Sequence, residues 1–154
     1  MENNSQLESL DTNTLKLILK NAVEETREKQ QGDFMQFVKK VWPEFIEGKH
    51  HKIYAEKLNR IANGELKRLI VNMPPRHTKS EFASHLFPAF YMGRHPNSKL
   101  IQTTHTGELA IRFGRKAKNL IESEEYAQVF PEVTLAADSK AAGRWESKPT
   151  GCLL

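Results

Sequence analysis

The chain has one cysteine, Cys152, among 154 residues. No internal disulfide is therefore possible, and a reducing cytoplasm is the expected compartment. Cys152 stands one place short of a prenylation box, which argues against a lipid anchor. No run approaches the roughly 18 consecutive apolar residues of a membrane span, so no membrane is expected among its partners. The first residues, MENNSQLESLDTNT, offer neither a basic start nor an apolar stretch of the kind a secretion signal requires. No His/Cys/Asp spacing suggests a metal cage. With 38% apolar and 27% charged residues the sequence reads as a globular chain, long enough for one domain with a real core.

Acidic residues are scarce in two places. Residues 49–79 hold 8 Lys/Arg against 2 Asp/Glu, and residues 94–118 hold 6 against 1, whereas residues 1–48 hold 6 against 9. Two basic blocks of this kind suit phosphates, either of a nucleotide or of a nucleic-acid backbone, although a solvated basic face has the same composition.

Leu15, Ile18, Leu19, Ala22 and Val23 repeat with helical spacing and predict a first amphipathic, core-forming helix. EETREKQQGD after it is polar and reads as a loop or frayed end. Phe34, Phe37, Val38 and Val41 predict a second helix ending near Pro43. Ile53, Tyr54, Leu58 and Ile61 predict a third over about residues 52–62, with Gly64 as its stop. The pattern then changes. Residues 68–73, RLIVNM, form a short β-branched run that predicts a buried strand, and residues 99–103 predict a second. Between them Ala83, Leu86, Phe87 and Phe90 mark a helix kinked or restarted at Pro88 and closed by Gly93. Thr106 can cap a helix carrying Ala110, Phe113, Ala117, Leu120 and Ile121. Strand, helix, strand, helix implies an α/β fold: a helical N-terminal region (1–48) followed by a partial, incomplete parallel sheet of the P-loop NTPase type, βαβα, over 49–154.

The join between the first strand and its helix is PPRHTKS, residues 74–80. The phosphate-loop pattern G-x-x-x-x-G-K-[ST] keeps its end as Lys79-Ser80, but Met73 and Thr78 occupy the glycine places. Arg76, His77, Thr78, Lys79 and Ser80 can present N–H groups to an anion, whereas Pro74 and Pro75 cannot. A β-branched residue resists the positive φ that glycine adopts, so Thr78 predicts a loop shaped differently from the standard one. A basic turn without a ligand is the alternative reading.

GELKRLIVNMPPRHTKSEFAS, LIQTTHTGELAIRFGRKAKNLIESEEY and LAADSKAAGRWES, taken in order, resemble the large subunit of tailed-phage DNA-packaging terminases over about residues 37–145. The resemblance implies the Walker A half of an ATPase domain that takes ATP and Mg²⁺. It implies that Lys79 contacts the β- and γ-phosphates, that Ser80 binds Mg²⁺, and that Arg76 senses the γ-phosphate as the catalytic arginine. His77 and Thr78 complete the nucleotide-binding loop, Thr104, His105 and Thr106 match a segment coupling nucleotide to DNA, and His50-His51 sits where the family contacts adenine. His105 reads equally well as a cap or surface residue. Arg112, Arg115 and Lys116 share a helix side and are candidates for DNA backbone contact, with a solvated face as the alternative.

The implied partners are double-stranded DNA, the terminase small subunit, the portal protein and further copies of the chain in a complete motor. The implied place is the procapsid portal in the host cytoplasm. An acidic pair of the Walker B type does not follow in the sequence, and Asp138 is a poor imitation. The expectation is thus a truncated front portion of a viral genome-packaging motor, without the nuclease domain, that binds nucleotide but does not hydrolyse it alone. The alternatives are a basic nucleic-acid-binding module without ATPase activity, or a piece of another P-loop or helicase-like ATPase.

Overall fold

The computed structural model describes residues 11–136, 145–148 and 151–153, with side chains for 11–136 and 145–146. Most of them are helical. Helix α1 spans Thr12–Gly32, α2 Phe34–Val41, α3 Lys49–Ala62, and α4 Lys79–Glu81 runs through a π-helical turn (Phe82–Leu86) into α5, Phe87–Arg94. Then follow β1 (Lys99–Leu100), α6 (Gly107–Ile121), α7 (Glu124–Val129), β2 (Thr134–Leu135), β3 (Trp145–Lys148) and β4 (Gly151–Leu153).

The core is aromatic. Phe34, at the start of α2, is fully buried and meets Phe82 at 5.3 Å edge to face, Phe90 at 5.4 Å and Phe87 at 5.7 Å between ring centroids. Such contacts add about 0.5–1.5 kcal/mol each to simple burial. Asp33 ends α1 and starts α2: its side chain accepts from the Gln36 N–H at 2.9 Å. Asn59 of α3 ties this corner down, donating to Asp33 at 2.8 Å and accepting from the Phe34 N–H at 2.8 Å. Tyr126 of α7 is buried and donates to the Ala89 carbonyl at 3.0 Å, and burial raises its phenol far above the usual range.

The turn Phe82–Leu86 has a local cause. Proline 88 has no N–H to give the Ser84 carbonyl, so α-helical bonding lapses there, and the Phe87 N–H reaches back to the Phe82 carbonyl. The Ser84 carbonyl instead accepts from the Gln102 side chain at 3.0 Å. The restart expected at Pro88 is thus present, with the proline in the first turn of α5.

The expected α/β fold with a parallel P-loop sheet is corrected. The strands are two to four residues long, in the order β1-β4-β3-β2; β1 and β4 are parallel, and the other two pairings are antiparallel. Residues 68–73 join no sheet. Leu69, Val71 and Met73 lean on the core while Ile70 is 89% exposed, so the alternation of an extended segment is present without a ladder partner. The strand expected over 99–103 shortens to Lys99–Leu100, which pairs with β4.

Two expectations about the first helix also change. EETREKQQGD is helical as far as Gly32 and forms the end of α1, with Lys29–Glu25 and Arg27–Glu24 pairs along it. Its apolar face does not build the core: Leu17, Leu19 and Val23 are more than half exposed, and the helix buries no residue. Asp138, the weak acidic candidate, lies outside the described residues.

Candidate functional site

The segment 74–80 leaves the extended run and enters α4 through two left-handed residues, Arg76 at φ 66° and Thr78 at φ 59°. Among the described non-glycine residues no others have positive φ. Thr78 is followed at once by helical Lys79. A left-handed residue before a right-handed one turns successive N–H groups toward a common concavity, the arrangement that binds anions. Thr78 therefore adopts the positive φ that a β-branched residue was expected to resist. For a β-branched residue that conformation costs on the order of 1–3 kcal/mol, which the surroundings must offset.

Beside Thr78 stands His51, which is buried at the start of α3. The Gly48 N–H donates to His51 Nδ1 at 2.9 Å, so the proton is on Nε2, which donates to Thr78 Oγ1 at 2.6 Å. Thr78 Oγ1 in turn donates to the His77 carbonyl at 2.7 Å. The His51 ring packs against Phe45 at 4.8 Å and Phe82 at 5.5 Å. Both its ring nitrogens are thus engaged within the protein, which leaves neither for the adenine contact that the resemblance implied. Burial, and next the neighbouring His50, hold its pKa below the ordinary 6.5.

Lys79 Nζ donates to the Met73 carbonyl at 3.2 Å, spanning the two ends of the loop. Pro74, Pro75, Arg76, Thr78, Lys79, Ser80 and Glu81 line a cavity of about 280 Å³, and Lys79 and Ser80 also line a cavity of about 420 Å³ with Tyr54, Leu58 and Phe87. Arg76, His77 and Ser80 are exposed; His77 Nδ1 donates to the Pro75 carbonyl at 2.9 Å.

Glu81 was missed at the sequence level. Its carboxylate accepts from Lys116 of α6 at 2.7 Å and from His85 at 3.0 Å. Burial works to raise the Glu81 pKa, but Lys116 and His85 together bring it below 4.5. His85 is itself held below 6.5, chiefly by burial. A depressed histidine is a neutral one at pH 7, so this contact is a hydrogen bond from a neutral ring and Lys116 carries the ionic partnership. Lys116 is accordingly tied to Glu81 in α4, beside the loop, while Arg112 and Arg115 are exposed on α6. Thr106 caps α6 by accepting from the Leu109 N–H at 3.3 Å, Thr104 donates to the Thr106 carbonyl, and His105 is exposed, so this trio forms the entry to α6 at some remove from the loop residues in sequence.

The phosphate-binding part of a nucleotide site fits these residues: N–H groups at a helix start, one lysine and one arginine. For Mg²⁺ the fit is thinner. Ser80 offers one hydroxyl, Glu81 is engaged, and among the described residues no group of His, Cys, Asp or Glu is arranged to hold a metal ion. A cavity of about 600 Å³ lies elsewhere, between Arg27, Gln31, Arg94 and residues 130–133, and shares no residue with the loop. Among the described residues no helix is long and apolar enough to cross a membrane. No family model matches the chain, and no curated protein or solved structure matches it.

Proposed function

We propose that residues 74–80 bind the phosphates of ATP with its Mg²⁺, and that the chain is part of a DNA-packaging ATPase of the terminase large-subunit kind. The observation that carries this reading is the left-handed Thr78 followed directly by helical Lys79, with the Lys79 ammonium folded across the loop. A phosphate entering the concavity would take the ammonium from the Met73 carbonyl, so the charge needed is already in place. Arg76, exposed at the loop's rim, is assigned to the γ-phosphate and Ser80 to Mg²⁺. The reading rests on the loop and on the three ordered sequence blocks, and not on the sheet.

Double-stranded DNA is assigned to Arg112 and Arg115, exposed on the helix whose Lys116 holds Glu81 beside the loop. Assembly with a small subunit, a portal protein and further copies, at the procapsid in the host cytoplasm, belongs to the same proposal. Calorimetric titration of Mg·ATP into the chain is the test. Saturable binding is expected, weakened at least about tenfold in Lys79→Ala, since a hydrogen bond to a charged group contributes about 1.5–3 kcal/mol. Salt-dependent DNA binding with no response to Mg·ATP or to Lys79→Ala would favour the nucleic-acid-binding module instead.

A further inference from the structure

We propose that His51 is a positioning residue that holds Thr78 in the left-handed conformation, supplying through a hydrogen bond what glycine supplies by having no side chain. The geometry stands by itself; its consequence for ligand binding rests on the phosphate-binding reading. The relay runs in one direction, from the Gly48 N–H to His51 Nδ1, from His51 Nε2 to the Thr78 hydroxyl, and from that hydroxyl to the His77 carbonyl. Each group has the one role that satisfies its neighbour. The hydroxyl has two partners while its own backbone sits at φ 59°, so the two bonds tie the side chain to the loop in this conformation.

Protonation of His51 would put a second N–H against the Gly48 N–H and expel that end of the relay. Ionisable groups near the ring are His50, whose ring lies tilted against it with centroids 3.8 Å apart, Glu47, and His77, which meets His50 at 5.5 Å. Glu47 favours protonation, but it is itself held by Lys39 at 2.6 Å. Burial, with the two other histidines, opposes it, so the relay is intact at neutral pH and opens on acidification.

The test compares wild type, His51→Ala, Thr78→Gly and the double variant, with Mg·ATP as the calorimetric probe. His51→Ala is expected to weaken binding about tenfold when residue 78 is threonine and less than about twofold when it is glycine. Equal losses in both backgrounds would overturn the proposal. Wild-type affinity is also expected to fall more steeply on acidification than that of Thr78→Gly; equal pH slopes count against it. If wild type binds no Mg·ATP, the phosphate reading fails, and the relay is judged from urea midpoints of the same four proteins: non-additive shifts support it, additive ones overturn it. If His51→Ala does not fold, Thr78→Ser is compared with Thr78→Val. The valine is expected to bind about tenfold more weakly than the serine, and equal binding would refute the role.

Discussion

Thr78 stands where the phosphate-loop pattern places glycine, and it adopts the glycine conformation because a histidine 27 residues earlier holds its hydroxyl. Lys79 and Ser80 were legible in the sequence, since a lysine-hydroxyl pair opening a helix has a local signature. The part played by His51 was not legible, because it joins the start of one helix to a distant loop and no spacing encodes that contact. Glu81 escaped for the same reason: its partners include Lys116, on another helix. These histidines give the molecule a pH dependence of definite sign. His51 and His85 are both held below 6.5 in the fold, so the unfolded chain takes up protons first as pH falls. Their contribution is complete above 6.5 and is lost on acidification below it. Urea midpoints are expected to drop between about pH 7.5 and about pH 5.5, and by less in His51→Ala. A midpoint that rises or holds steady over this interval contradicts the assignment.

The helices were the readable elements. Phe34, Phe37, Val38 and Val41 announced α2, and Thr106 announced the start of α6, because period and cap are both local. The run 68–73 misled because a β-branched apolar stretch specifies an extended backbone but not a partner, and its hydrogen-bonding edge meets no strand among the described residues. The apolar stripe of α1 misled in another way: helical spacing marks a face without saying what covers it. Gly93, read as a stop, has a packing role inside α5. A Cβ there would stand 2.5 Å from the ring of Phe130, itself 4% exposed and unable to swing clear. Gly93→Ala is therefore expected to cost about 1–3 kcal/mol in chemical unfolding, against the modest gain that alanine brings to an unconstrained helix site. An unchanged or raised midpoint would show that the contact yields.

At the scale of the whole molecule, an aromatic core centred on Phe34, Phe82 and Phe90 carries helices that the sequence resemblance had placed around a parallel sheet. The sheet that forms is small and mixed, because β1 finds β4 and residues 68–73 find no strand partner among the described residues. Long-range pairing of this kind is what a single sequence conveys least, whereas the loop at 74–80 depends on a few adjacent residues and one tertiary contact. The central claim is that this loop is a phosphate cradle, and the competing location is the larger cavity beside Arg27 and Arg94. Amide ¹H–¹⁵N spectra recorded during a Mg·ATP titration separate the two. The account predicts saturable shifts centred on Thr78, Lys79 and Ser80 that disappear in Lys79→Ala; shifts confined to residues around Arg27 and Arg94, or none at all, would contradict it.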